Sequence, residues 1–297
     1  MKRILLFVIT NIAVMLTLSI VTNVVIALMG TTIEEVLGPE YGYLAVFAFI
    51  YGFVGAFISL LLSKPIAKLS TGAKVIDGSE GEAERWLVET VADLARRANV
   101  KTPEVAIYEG QANAFATGAF KNSALVAVST DIMRQMTKEE LRAVLGHEMS
   151  HVANGDMVTL TLVQGVLNAF VIFFSRVIAR IVASSGNGNR RGSSGTYYLV
   201  AWILDLALGI LASMVVMAFS RRREFAADAG SARLLGSPSG MIAALRRLGN
   251  LQPGVLPDSL CAMGIASGRR RTSLFASHPS LDDRIDALMN LPPDTAA

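Results

Sequence analysis

The chain has 297 residues, of which 52% are hydrophobic and 17% are charged, and its formal net charge at pH 7 is +3. Typical soluble domains contain roughly 25% charged residues, so this composition argues against two soluble domains and favours a protein that partly faces lipid. Basic residues cluster beside apolar runs, which is typical of membrane orientation rather than of nucleic-acid binding. The single cysteine, Cys261, excludes an internal disulfide framework.

Two uncharged apolar runs open the chain, the first from Ile4 to about Met29 and the second from Tyr41 to Leu62. Each is long enough for a helix that crosses a hydrocarbon core of about 30 Å. The first run is longer than the apolar core of a signal peptide, and no clear cleavage site follows it. We therefore predict an uncleaved anchor with two membrane spans.

The charges around these runs predict their orientation. Lys2 and Arg3 precede the first run and lysines follow the second, whereas the connection Gly30–Glu40 has three glutamates and no lysine or arginine. Because cytoplasmic loops carry the excess of basic residues, both ends of this anchor are expected in the cytoplasm. The lysines that follow the second run are Lys64, Lys68 and Lys74.

From about Ser79 the sequence has the character of a soluble domain. Ser79 and Glu82 have the spacing of a capping box, which predicts the start of an amphipathic helix. The segments Pro103–Tyr108 and Ala124–Ser129 are predicted to be short strands, the second rich in β-branched residues.

A second capping box begins the helix that carries two of the three histidines. Thr137 and Glu140 form it, and Asn154-Gly155 is predicted to end the helix.

Two more apolar stretches, Met157–Ala183 and Tyr197–Phe219, follow and are joined by a segment rich in Gly, Ser and Asn. The first stretch contains Arg176 and Arg180, and the second contains Asp205. A charge at the centre of a bilayer costs several kcal/mol, so the first stretch is either a full span or a tilted, partly buried hairpin. The second is predicted to cross the membrane.

These elements predict a mostly α fold with a small β-sheet, in a multi-pass membrane protein. The predicted divisions are a two-span anchor at 1–66, the first catalytic segment at 67–156, a second membrane hairpin at 157–220, and a second catalytic segment at 221–297.

Residues 147–151 read His-Glu-Met-Ser-His, which is the strongest chemical signal in the chain. Histidines four residues apart share one helical face, so His147 and His151 can bind one metal ion. Glu148 then lies beside the ion without binding it, where it can deprotonate a metal-activated water. A coincidental pair of helical histidines is the competing interpretation.

A catalytic zinc needs a third protein ligand, and either His278 or a carboxylate can supply it. Glu224 and Asp228 lie four residues apart on one predicted helical face. In one arrangement Glu224 binds the metal, and Asp228 accepts the free ring N–H of a histidine ligand. The alternative is an exposed acidic face that balances Arg221–Arg223.

The chain resembles the HtpX-type membrane zinc metalloproteases, which are more distantly related to the CAAX prenyl endopeptidases. The resemblance rests on His147–His151, Glu224–Asp228, Asn113–Gly118 and Ser277–Ser280, and on the order of the apolar segments. It implies a zincin-like catalytic domain that binds one zinc ion per chain, with Glu224 as the third ligand.

The resemblance also implies roles for residues outside the ligand set. His278 and Arg284 would stabilise the oxyanion that forms when hydroxide attacks a peptide carbonyl. A loop histidine held by Pro279, and an arginine paired with aspartates of its own helix, are the alternatives. The resemblance makes 113–118 an edge segment that binds substrate backbone as an added strand, through Asn113, Ala114, Phe115 and Ala116.

The expected function is endoproteolysis of misfolded or damaged membrane proteins in a bacterial-type inner membrane, with the termini and active site facing the cytoplasm. The expected partners are peptide or protein substrates and the lipid bilayer, with no nucleic acid, and the oligomeric state is open. Two alternatives remain at this point. One is dedicated processing of a specific or lipidated peptide, and the other is a noncatalytic membrane scaffold or transporter.

Overall fold

A computed structural model describes residues 41–120, 122–184, 194–251, 265, 276 and 278–292. The predicted first span, Ile4 to Met29, lies outside these residues. Helices predominate, and one four-stranded sheet accompanies them. In chain order the elements are α1 (Tyr41–Thr71), β1 (Lys74–Ile76), α2 (Glu82–Arg97), β2 (Glu104–Tyr108), β3 (Ala114–Thr117), β4 (Leu125–Ser129), α3 (Thr130–Gln135), α4 (Lys138–Asn154), α5 (Asp156–Ser184), α6 (Ser194–Leu235), α7 (Ser239–Asn250) and α8 (Leu281–Met289).

The sheet has the order β1-β2-β4-β3, so β3 lies at one edge. β2 and β4 pair in parallel, whereas β1 with β2 and β3 with β4 pair antiparallel. Both predicted strands are confirmed as β2 and β4. The segment that the resemblance placed at an edge forms the edge strand β3, and the three-residue strand β1 was not predicted.

The core of the soluble part lies between this sheet and the helices α2, α4 and α7. Its buried apolar side chains include Leu87 and Leu94 of α2, Leu145 and Met149 of α4, and Leu245 of α7. α4 is buried from Leu141 to Val152 except at Arg142. This packing fixes the helix that carries the histidine pair inside the domain rather than on its surface.

The predicted limits of α4 are confirmed. The Thr137 side chain accepts a hydrogen bond from the Glu140 amide, and Glu140 accepts one from the Thr137 amide. Gly155 ends the helix in the left-handed conformation with φ of 63°, which favours glycine because it has no Cβ.

The predicted capping box at Ser79 and Glu82 is wrong. α2 begins at Glu82 itself, after Gly81, and no side chain caps it. The carboxylates of Asp77 and Glu80 instead accept hydrogen bonds from the amides of residues 77–79. The acidic residues before α2 therefore stabilise the turn that precedes the helix, and they do not cap the first turn of the helix.

Three helices of the described chain, α1, α5 and α6, are long and apolar enough to cross a membrane. They correspond to the three later apolar runs, but α1 and α6 extend beyond them to Thr71 and Leu235. One compact unit holds 41–58, 161–184 and 194–216 of the described residues. Another holds the rest of them.

Within the first of these units, polar and small residues join the apolar helices. Arg176 of α5 forms an ion pair with Asp205 of α6, and Ser175 donates a 2.5 Å hydrogen bond to the same carboxylate. A Cβ at Gly52 of α1 would lie 2.6 Å from the backbone nitrogen of Ala169 on α5. Two of the three charged residues in these stretches, Arg176 and Asp205, are therefore paired with each other. Gly52 lies where the backbones of α1 and α5 approach closely.

Candidate metal centre

α4 presents His147 and His151 from successive turns of one buried face. Their Nε2 atoms lie 3.1 Å apart, and the rings are nearly perpendicular, with an interplanar angle of 89°. Two nitrogens that bind one zinc ion at about 2.0–2.1 Å in tetrahedral geometry are separated by roughly 3.3 Å. The histidine pair is therefore spaced as two ligands of one ion.

α6 brings Glu224, the third ligand that the resemblance implies, against this pair. The Glu224 Oε2 atom lies 3.5 Å from His147 Nε2, and Oε1 lies 3.3 Å from His151 Nε2. The ligand atoms of these three residues lie within 4.8 Å of one another, and all three residues are buried. Their separations match the edges of a ligand tetrahedron, so the donor set fits a metal ion such as Zn²⁺.

Each histidine directs its other ring nitrogen to a different carboxylate. His147 Nδ1 lies 2.8 Å from Asp228 Oδ1, and His151 Nδ1 lies 2.6 Å from Asp156 Oδ2. Such contacts fix the ring with Nε2 facing the metal. Asp228 was predicted for this position. Asp156 was missed, although its acidic side chain directly follows the glycine that ends α4.

Arg284 of α8 is completely buried and holds Asp228 with two hydrogen bonds. Its Nε donates to Asp228 Oδ2 at 2.8 Å, and its Nη2 donates to Oδ1 at 2.7 Å. Its Nη1 lies 3.5 Å from Glu224 Oε2 and makes no hydrogen bond to any residue that the structure describes. Arg284 is therefore paired with the carboxylates of α6 and not with the aspartates of its own helix.

The surrounding carboxylates make the site favourable for positive charge. Burial disfavours the charged form of His151, but contacts with Asp156 and Glu224 outweigh it and raise the pKa of His151 to about 10. A field that stabilises a protonated imidazole so strongly also stabilises a divalent cation bound between the same groups.

Glu148 lies on α4 between His147 and His151, and its carboxylate makes no hydrogen bond to the described residues. The residue is 1% exposed. Burial raises the pKa of the Glu148 carboxyl to about 7, against the opposing charges of His147 and His151. An unpaired buried carboxylate costs free energy, so its retention points to a ligand or water that it contacts.

His278 completes the cluster from the loop before α8. Its Nδ1 lies 2.7 Å from Glu224 Oε2, and its buried Nε2 has no partner in the described part of the chain. The structure thus brings together all seven residues predicted for the metal, the chemistry and the surrounding contacts. They are Glu148, His278 and Arg284, with His147, His151, Glu224 and Asp228.

Small residues allow α4 and α6 to approach closely enough for this geometry. A Cβ at Gly146 would lie 2.8 Å from Ser231 Oγ, and one at Gly230 would lie 2.5 Å from Ser150 Oγ. Ser231 Oγ also donates a 2.7 Å hydrogen bond to the Ala143 carbonyl. A Cβ at either glycine would therefore press on a serine of the other helix where α4 and α6 cross.

The edge strand β3 runs beside Glu148. The backbone amide of Ala116 favours the ionised form of that carboxylate, although it does not reach hydrogen-bonding geometry. The Ala114 carbonyl accepts a 3.0 Å hydrogen bond from the backbone amide of Ile265. The Asn113 amide oxygen accepts a 2.9 Å hydrogen bond from the amide of Ala114. Phe115 is fully buried.

Comparisons with known proteins agree with this site. The model of peptidase family M48 matches residues 82–291. The chain is 54% identical to a protein named Protease HtpX homolog from Verminephrobacter eiseniae, over 98% of this chain and 99% of the relative. A protein of the same name from Janthinobacterium sp. is 52% identical over 98% of this chain and 100% of the relative.

Among solved structures, the crystal structure of S. mikatae Ste24p is similar with a TM-score of 0.55. The sequence identity is 20%, and the match covers 95% of this chain and 66% of Ste24p, so it speaks for the fold alone.

The chain belongs to peptidase family M48. Within that family it is of the HtpX type, and it is a membrane metalloprotease. The alternative of a noncatalytic scaffold or transporter is therefore excluded.

Proposed function

We propose that this protease uses zinc held by His147, His151 and Glu224 to cleave misfolded or damaged membrane proteins from the cytoplasmic side. The observation that carries the proposal is the unpaired, buried carboxylate of Glu148 beside three convergent ligand atoms. A base and a metal site in this relation are what peptide hydrolysis by an activated water requires.

A zinc ion bound by these residues would supply a Lewis acid and lower the pKa of a water molecule to about 7. Glu148 would take the proton from that water and later deliver it to the leaving amine nitrogen. Asp228, whose carboxylate contacts His147 Nδ1, would hold that imidazole in position during both steps.

Two buried side-chain nitrogens support oxyanion stabilisation from within the same cluster: Arg284 Nη1 is a donor, and His278 Nε2 is a donor when the ring carries both protons. His278 Nε2 and Arg284 Nη1 are buried and make no hydrogen bond among the described residues. Donors that await a developing charge lower the barrier without reorganisation, and a single one is worth about 3–4 kcal/mol. Arg284 Nε and Nη2 are already bound to Asp228, so Nη1 is the atom proposed to act.

β3 supports a main-chain mode of substrate binding. It lies at the sheet edge, where the Ala114 carbonyl accepts a backbone hydrogen bond from the chain's own Ile265, so substrate backbone would pair with the other groups of this edge. An extended segment added at this edge would lie beside Glu148. Recognition through backbone groups gives affinity without a fixed sequence, which suits a protease that removes unfolded proteins.

The cytoplasmic orientation is proposed from the basic residues that flank the apolar helices. Lys64 and Lys68 lie near the end of α1, and Arg221–Arg223 follow the apolar part of α6. The excess of lysine and arginine marks the cytoplasmic side, which would also contain the catalytic residues.

The test is cleavage of a destabilised membrane protein by the full chain in proteoliposomes, comparing the unaltered protein with Glu148→Gln. The variant should bind zinc normally and lose cleavage by roughly 100-fold or more. The assay includes the same substrate in its stable folded form and a prenylated peptide. Selective cleavage of the destabilised protein supports the proposal, and selective cleavage of the prenylated peptide favours dedicated processing. Normal cleavage by Glu148→Gln would refute the mechanism.

A further inference from the structure

Asp156, which is buried, and Arg223, which is partly buried, form a chain of contacts that ends on His151. Asp156 is 6% exposed, and its Oδ2 lies 2.6 Å from His151 Nδ1. The Nε atom of Arg223 lies 3.2 Å from Oδ1 of the same carboxylate. The two carboxylate oxygens therefore face two different partners, the metal-binding histidine and a cation.

We infer that Asp156 is a positioning residue for His151, and that Arg223 holds Asp156 in place. The inference rests on the proposed metal site, because it concerns how one of its ligands is oriented. An imidazole whose Nδ1–H is donated to a fixed carboxylate keeps Nε2 unprotonated and directed at the ion. Both contacts needed for this are present in the structure.

The local chain direction explains why Asp156 reaches His151. α4 ends at Asn154, and Gly155 turns the chain with a φ of 63°. Asp156 then begins α5, five residues after the histidine. The turn at Gly155 therefore places the Asp156 carboxylate against the imidazole ring of His151, which α4 carries.

The other histidine has a similar chain of contacts, built from different elements, in which the arginine hydrogen-bonds the carboxylate, whereas Arg223 contacts Asp156 as an ion pair. His147 contacts Asp228, which accepts two hydrogen bonds from Arg284. In both cases the order is histidine, carboxylate, arginine. Arg223 directly precedes Glu224, so one turn of α6 provides the third ligand and the cation that holds Asp156.

Asp156 also lies in the first turn of α5, where a carboxylate stabilises a helix N-terminus without any metal. Asp131 provides a matched control for that role. It occupies the first turn of α3, and its ion-pair partner Arg134 is 3.8 Å away.

The experiment measures zinc affinity of the full chain in detergent by competition with a chelator. Every variant also carries Glu148→Gln, so that no turnover is needed. Asp156→Asn should weaken zinc binding about 10- to 100-fold, whereas Asp131→Asn should leave it unchanged. Arg223→Gln should weaken binding by a smaller factor. It should add little in the Asp156→Asn background, because Arg223 acts through Asp156.

A second measurement separates positioning from helix stability. The visible spectrum of the Co²⁺-substituted chain should change in Asp156→Asn and stay unchanged in Asp131→Asn, because only the first removes a contact to a proposed metal ligand. Unchanged zinc affinity in Asp156→Asn, with lower thermal stability of the metal-free chain, would overturn the inference but leave the proposed function standing. No zinc binding by the chain with Glu148→Gln alone would overturn both.

Discussion

Replacing Gly230 with alanine would push apart α4 and α6, the helices that carry the proposed metal ligands, where they cross. The new Cβ would lie 2.7 Å from Ser150 Cβ and 2.5 Å from its Oγ. Non-bonded carbon atoms settle at about 3.5–4.0 Å, so the helices must separate by about 0.8 Å, the difference between 3.5 and 2.7 Å. The Ser150 Cβ is attached directly to the backbone of α4, so no change of rotamer relieves the contact.

Overpacking of this kind costs typically about 1–3 kcal/mol, and metal–ligand distances tolerate shifts of only about 0.2 Å. Because the crossing sets the distance between Glu224 and the histidine pair, the strain should appear as weaker metal binding. Since each 1.4 kcal/mol is a factor of ten, zinc affinity should fall roughly 5- to 150-fold if the whole strain falls on the metal-bound state.

The assay is chelator competition for zinc, with Gly209→Ala as the control on the same helix. A Cβ at Gly209 would meet no atom of the described residues within 4 Å, so that variant should bind zinc normally. Ser150→Gly removes the opposing Cβ and should restore affinity to Gly230→Ala. Unchanged affinity in Gly230→Ala, or a loss that Ser150→Gly does not relieve, would refute the reasoning.

Three further substitutions test individual contacts by unfolding of the metal-free chain in detergent. Arg284→Met leaves the buried Asp228 carboxylate without its cation and should cost about 3–5 kcal/mol; a loss below about 1 kcal/mol would contradict the buried pairing. Thr137→Ala removes the cap of α4 and should cost about 1 kcal/mol with zinc affinity unchanged, so altered zinc binding would count against a purely structural role. Arg176→Leu leaves Asp205 without its cation among apolar helices and should destabilise the chain by about 1 kcal/mol or more. Arg176→Leu combined with Asp205→Leu should recover most of that loss. Equal losses in the single and double variants would mean that the ion pair does not join α5 to α6.

The features of the site that depend on local spacing could be predicted from the sequence. His147 and His151 share a helical face because of their separation of four residues, and the Thr137 cap and the Gly155 stop set the helix around them. Glu224 is distant in sequence, and no periodicity connects it to the histidines. Its place as third ligand was predicted from family resemblance.

Contacts across element boundaries were harder to predict. Asp156 lies five residues after His151, a spacing that does not share a face within one helix, and only the turn at Gly155 brings the two together. Arg284 was expected either near the oxyanion or beside its own aspartates, and its pairing with Asp228 depends on the packing of α8. Ser79 and Glu82 matched a capping box by spacing alone, whereas the helix begins only at Glu82.

The measurement that tests the account most directly is the zinc content of the purified full chain and of its ligand variants. The unaltered chain and Glu148→Gln should each carry about one zinc ion per chain. His151→Ala and Glu224→Ala should each lose nearly all of it, because each removes one of the three converging ligand atoms. Full zinc content in either ligand variant, or loss of zinc from Glu148→Gln, would contradict the proposed division between the residues that hold the metal and the residue that acts as base.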